Sequence, residues 1–131
     1  MATILLAIDT DVERAEVQAE SILELPLVRD DTQLVLFHVF RGDDEGADAR
    51  KLNSVATALE RLEAAGFDVE VEQSSGDAVR EILAEAARVN ADVVSLAGQK
   101  RSPTGKALFG SVSQDVVLES DRTVLLETTD D

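Results

Sequence analysis

The sequence predicts an α/β fold, a parallel sheet with helices on both faces. Three observations predict it. Apolar runs of strand length alternate with stretches of helical period, in the order β-α-β-α-β-α-β-loop-α-β. Most of the strand-like runs are continuously apolar, as in strands buried on both faces. A glycine-rich loop separates the fourth strand from the last helix, at the kind of strand end where such sheets bind ligands. The 131 residues fit one domain, 1–131, long enough to bury a core.

The elements follow in order. Thr3 to Ile8 is a short apolar run that ends in Asp9. From Val12 to about Leu25, residues Ala15, Ala19, Ile22 and Leu23 recur at helical spacing, and Pro26 helps end the helix. Gln33 to Phe40 is a second buried strand, followed by a polar loop, Arg41 to Asp48, with two glycines and four acids. Leu52, Val55, Ala56, Leu59 and Leu62 mark an amphipathic helix closed by Gly66 in the C′ position. Phe67 to Gln73 alternates and therefore reads as an edge strand. Asp77 is the expected N-cap of a helix whose inner face carries Val79, Ile82, Leu83 and Ala86. Asp92 to Ala97 is the fourth strand. A helix from about Ser111 to Glu119 and a strand from Thr123 to Glu127 complete the pattern, and the acidic end from Thr128 to Asp131 reads as frayed.

Charge narrows the function classes. The chain has 27 acids against 12 bases, a formal net charge of −15. Such a field repels nucleic acid and anionic lipid, so neither is an expected partner. The acids are spread through every segment, and arginine outnumbers lysine nine to three. This is the surface of a protein adapted to high salt, where self-repulsion is screened; an acidic protein from an ordinary habitat is the alternative. There is no cysteine and one histidine, which excludes disulfides and argues against a zinc site. No apolar run reaches membrane-spanning length and no leader pattern opens the chain, so a cytoplasmic location is expected.

The most informative stretch is Gly98 to Ser111. It holds Lys100, Arg101 and Lys106, two of the three lysines in the chain, and no acid. Glycines between a strand and a helix N-terminus let backbone N–H groups approach an anion, which the helix dipole also favours. The plain alternative is a set of solvated cations pairing with surface acids. Such pairs are worth only about 0–1 kcal/mol each, a poor reason to concentrate cations here. A phosphate-bearing ligand is therefore expected, with Gly98, Lys100, Arg101, Lys106, Gly110 and Ser111 as its contacts. Asp9 and Val39 lie at the ends of the first two strands, beside the same place.

Other motifs fail on their own chemistry. Gly105-Lys106 lacks Walker spacing, and Ala107 stands where a magnesium-binding hydroxyl is needed. Asp9 and Asp11 suggest the paired acids of a response regulator. The third strand, however, ends in Gln73-Ser-Ser-Gly76, with no acceptor aspartate. His38 has no visible partner for general-base work, so no catalytic residue and no metal ligand is assigned.

The chain resembles the universal stress protein family. The resemblance rests on Ile4 to Asp9, the strand ending in His38-Val39, the segment Gly76 to Leu83, the loop Gly98 to Gly110-Ser111, and a last hydrophobic strand preceded by Asp121-Arg122. It implies a Rossmann-like, adenine nucleotide alpha hydrolase-like sheet of order 3-2-1-4-5 and a homodimer built on the last strand. ATP-binding members carry Gly-x2-Gly-x9-Gly-Ser/Thr. Gly98 and Gly110-Ser111 match its ends; Arg101 stands at the middle glycine, and the Gly98–Gly110 interval is one residue shorter. The resemblance further implies that Asp9 faces the adenosine part, accepting ribose hydroxyls, where the residues alone also allow a helix-capping Asp. It implies that Val39 touches adenine, where the residues alone also allow a core valine.

The expected function is binding of an adenine nucleotide, ATP or AMP, in a stress-sensing or signalling role with at most slow hydrolysis. Magnesium is expected only as the companion of a bound nucleotide. Val124, Leu125 and Leu126 are the expected dimer contact. The alternative is an interaction module of the same fold that binds no nucleotide and acts through an unknown protein partner. An enzyme acting on a small phosphorylated substrate lacks the catalytic groups it would need.

Overall fold

The computed structural model describes residues 1–42, 46–99 and 110–129. The chain runs through β1 (Ala2–Ala7), α1 (Val12–Glu24), β2 (Thr32–Phe40), α2 (Asn53–Ala64), β3 (Asp68–Ser75), α3 (Ala78–Arg88), β4 (Val93–Gln99), α4 (Ser111–Glu119) and β5 (Thr123–Thr129). The strands form one parallel sheet in the order β3-β2-β1-β4-β5. This is the sheet the sequence leads one to expect.

The continuous apolar runs occupy the centre because a central strand is covered on both faces. Ile4 of β1 pairs with Leu34 of β2 on one side and with Val93 of β4 on the other. Ile4, Leu6, Ile8, Leu34 and Leu36 point to one face and pack against Ala15, Ala19 and Ile22 of α1 and Val55, Ala58 and Leu62 of α2. Leu5, Val35, Phe37, Val94 and Leu96 point to the other and meet Ile82 and Ala86 of α3 and Val116 of α4. Leu5, Leu6, Leu34 and Leu36 are wholly buried, each worth about 1.5–3 kcal/mol relative to exposure. The alternating β3 lies at an edge, with Asp68 and Glu70 exposed.

Helices α1 and α2 thus cover one face and α3 and α4 the other. Right-handed crossovers produce this when the chain first winds outward from β1 to β3 and then returns past β1 to β4. Strand order reverses between β1 and β4, and the helices that follow those strands, α1 and α4, lie on opposite faces.

Local chemistry fixes the helix ends. Asp11 and Asp77 cap α1 and α3, accepting from the N–H groups of Arg14 at 2.9 Å and Arg80 at 3.0 Å. Helix α2 closes through a paired turn: the Gly66 N–H donates to Glu63 O and the Phe67 N–H to Leu62 O. Gly66 has φ +95°, the left-handed conformation that this closure demands.

Two features depart from the sequence reading. Ala56 is exposed, whereas Ser54 and Ala58 of the same helix are buried. Hydrophobicity places serine outside, but the Ser54 hydroxyl is satisfied inside, donating to the Asp9 carbonyl at 2.6 Å. Short 3-10 turns, Arg29–Asp31 and Ala49–Lys51, also interrupt what reads as plain loop. The second is tied to β3 by Gln73, whose amide accepts from the Ala49 N–H and donates to Ala47 O, each at 2.8 Å. Among the described residues, no helix is long and apolar enough to cross a membrane.

Candidate functional site

At the switch point between β1 and β4 lies a cleft of about 840 Å³. The ends of β1, β2 and β4 form its floor, and the first turns of α1, α3 and α4 contribute to its walls. Asp9, Val39, Gly98, Gly110 and Ser111 all line it. Five expected contacts from four separate segments are thereby brought to one place. Lys100, Arg101 and Lys106, the three expected loop cations, lie outside the described residues. Val124, Leu125 and Leu126 lie on β5, which pairs only with β4 and is half-buried at the sheet edge.

Asp9 follows β1, and its carboxylate is oriented twice. Oδ1 accepts from the Asp11 N–H at 2.9 Å, and Oδ2 accepts from Arg14 Nε at 2.8 Å. The helix cap is Asp11, not Asp9, so the capping alternative does not account for Asp9. Burial lowers the pKa of Arg14, but the hydrogen bond and charge of Asp9 outweigh it and the net shift is upward. The guanidinium therefore keeps its charge beside Asp9. Ser54 fixes the same corner from below by donating to the Asp9 carbonyl.

α1 itself is held in place by Gln18, which is buried with its amide nitrogen 3.2 Å from both Ala7 O and Ser95 Oγ. This pins the helix carrying Arg14 across the ends of β1 and β4.

His38 also lines the cleft, 8% exposed. Its Nδ1 lies 2.7 Å from the Ile8 carbonyl, which can only accept, so Nδ1 carries the proton. The ring stands edge-on to Phe40 at 4.6 Å. Among the described residues, no nucleophile or acid is bonded to it. No group of three or more potential metal ligands occurs among the described residues.

The opening of α4 differs from those of α1 and α3. Its N-cap is Gly110, with no side chain to satisfy the first N–H groups. Gly42, Gly46, Gly66 and Gly76 have positive φ and need glycine for that reason. Gly110 does not: its φ is −60° and its ψ 157°, open to any residue. Among the described residues, a Cβ built there meets nothing within 4 Å. Serine or aspartate would cap α4 better. Among the described residues nothing accepts from the N–H groups of Ser111, Val112 and Ser113, residues that border the cleft, and the glycine adds no side chain in front of them.

Sequence reasoning missed Arg14 and Arg41, the cleft's two described cations. Arg14 had a signal, standing in the first turn of a helix that begins at a ligand-binding strand end. Arg41 had a weaker one, directly following β2.

The model of the universal stress protein family matches residues 1–126. The chain belongs to the universal stress protein family. A universal stress protein of Mycolicibacterium smegmatis is 34% identical over 100 residues, 74% of this chain and 76% of the relative. Among solved structures, the universal stress protein from Archaeoglobus fulgidus has a TM-score of 0.74 at 25% identity, covering 98% of this chain and 99% of that one. A universal stress protein family protein from Arabidopsis thaliana, with AMP bound, has a TM-score of 0.74 at 17% identity, covering 99% and 93%. At that identity the likeness establishes the fold, and the cleft lies where this universal stress protein fold reverses its strand order.

Proposed function

We propose that this universal stress protein binds an adenine nucleotide in the switch-point cleft and acts as a sensor or signalling component with at most slow hydrolysis. The observation that carries this reading is Gly110, a glycine that neither backbone conformation nor packing against the described residues requires. Its lack of a side chain leaves three helix-terminal N–H groups open to the cleft, where an anion gains from both the donors and the helix dipole. Gly98, buried at the end of β4, allows close backbone approach on the opposite side. Lys100, Arg101 and Lys106 add charge-assisted contacts, which a chain of net charge −15 must supply locally to hold a phosphate. Asp9 and Val39 hold the adenosine end. The AMP-bound Arabidopsis relative of the same fold supports a nucleoside monophosphate as the minimal ligand.

The protein acts as a homodimer through β5 in this reading. The β3 edge carries Asp68, Glu70 and Glu72, charges that deter strand pairing. Val124, Leu125 and Leu126 of β5 carry none, and Glu127 accepts a hydrogen bond from Ser21 of α1.

Native mass spectrometry of the purified protein tests the nucleotide reading. The expected result is a bound mass equal to an adenine nucleotide, released on denaturation. A bare chain that also fails to take up added AMP would leave the alternative, a protein-binding module of the same fold. Arg101 at the position of a family glycine favours that alternative.

A further inference from the structure

The nucleoside end of the cleft holds a cation that nucleotide binding as described does not use. Asp9 is oriented by Arg14 and by the Asp11 amide, so each of its oxygens already accepts one hydrogen bond. Its charge is matched by the guanidinium at 2.8 Å. A lone carboxylate at this position would accept ribose hydroxyls and repel any phosphate placed there. The paired carboxylate keeps a lone pair on each oxygen for a ribose hydroxyl, while the guanidinium weakens its repulsion of a phosphate.

Arg14 meanwhile retains donors. A guanidinium has five N–H groups in a planar fork, and only Nε–H is bonded to Asp9. Nη2 lies 3.9 Å from Asp11 Oδ2, too far for a hydrogen bond. The side chain is 29% exposed and borders the cleft. The outer fork, Nη1 with Nη2, is the edge that binds a phosphate through two parallel N–H···O bonds. Arg41 borders the same cleft from the end of β2, a second cation beside Arg14, which itself stands among Asp9, Asp11 and Glu13.

We infer that Arg14 forms a second anion subsite, which lets the cleft take adenine nucleotides phosphorylated on the ribose 2′ or 3′ oxygen as well as at the 5′ position. This rests on the nucleotide reading above and adds a ligand class to it. The 5′ phosphate meets Gly98 and the start of α4; the ribose phosphate meets the Arg14 fork, with Arg41 strengthening the field.

Calorimetry at molar KCl with AMP and adenosine 3′,5′-bisphosphate tests it on the wild type, Arg14→Gln and Arg14→Lys. The wild type is expected to bind the bisphosphate at least about tenfold more tightly than AMP, the lower end for a hydrogen bond to a charged group. Arg14→Gln is expected to abolish that preference, lowering affinity for the bisphosphate at least about tenfold more than affinity for AMP. Arg14→Lys, which keeps charge but loses the fork, is expected to fall between. Thermal melts of both variants establish that they are folded. If the wild type binds AMP and shows no preference for the bisphosphate, the second subsite is overturned and the nucleotide reading stands. Equal loss of both ligands in Arg14→Gln also overturns it, because Arg14 then serves only to position Asp9. If neither ligand binds the wild type, the nucleotide reading fails and the subsite with it.

Discussion

Gly110→Val separates a ligand requirement from a folding requirement. The backbone at Gly110, φ −60° and ψ 157°, accommodates valine, and a Cβ there meets nothing within 4 Å among the described residues. Restricting the unfolded chain stabilises by about 0.4–1 kcal/mol. Losing the better N-cap costs about the same, because glycine caps nearly as well as serine and valine caps poorly. The two effects offset, so the melting temperature is expected to move by less than about 4 °C, the shift that 1 kcal/mol produces in a domain of this size. Binding responds differently. The branched side chain fills the space before the N–H groups of Ser111, Val112 and Ser113, and an anion cannot close to hydrogen-bond distance. Losing two charge-assisted bonds at about 1.5–3 kcal/mol each lowers affinity by more than about a hundredfold. The assay is calorimetry with AMP beside a thermal melt in the same molar KCl buffer. Wild-type affinity in the variant refutes the reasoning, because it means that no ligand uses this opening. A collapse in melting temperature refutes it too, because the space in front of Gly110 would then be filled by the protein itself.

Three further outcomes are expected. Thermal stability should rise steeply from low to molar KCl, because a net charge of −15 repels itself over a Debye length of about 30 Å at 0.01 M and only about 3 Å at 1 M. A flat melting temperature across that range removes the high-salt reading. Val124→Lys or Leu126→Lys should convert a dimer to a monomer in light scattering, since each buries a charge where two β5 edges meet; unchanged mass in both places the contact elsewhere. Ser54→Ala should cost about 1–2 kcal/mol in denaturant unfolding and weaken AMP binding, because it removes the buried hydrogen bond under the Asp9 carbonyl. Full stability and full affinity would show that this support is dispensable.

The fold was legible because its central strands are apolar on both faces. Ile4-Leu5-Leu6 and Leu34-Val35-Leu36 admit few other readings in a chain that also carries capped amphipathic helices. Asp77 and Gly66 announced their helix ends through chemistry confined to one turn. What periodicity missed were residues whose placement depends on distant partners. Ser54 is buried because Asp9, 45 positions earlier, supplies an acceptor. Ala56 carries too little apolar surface to hold its helix face inward. In the site, Asp9, Val39, Gly98, Gly110 and Ser111 could be named because topology sends ligands to strand ends. Arg14 could not, since its meaning comes from its bond to Asp9 and from the way Gln18 seats α1 on the sheet.

The central claim is that an adenine nucleotide occupies the cleft between β1 and β4, with its phosphate at the start of α4. The most direct measurement is a titration of the ¹⁵N-labelled protein with AMP in molar KCl, followed through its backbone amide resonances. Saturable shifts are predicted at Gly98, Ser111, Val112 and Ser113 for the phosphate and at Asp9, Val39 and Phe40 for the nucleoside, with β3 and the far end of the sheet unmoved. A spectrum unchanged by AMP, or shifts confined to residues outside the cleft, would contradict it.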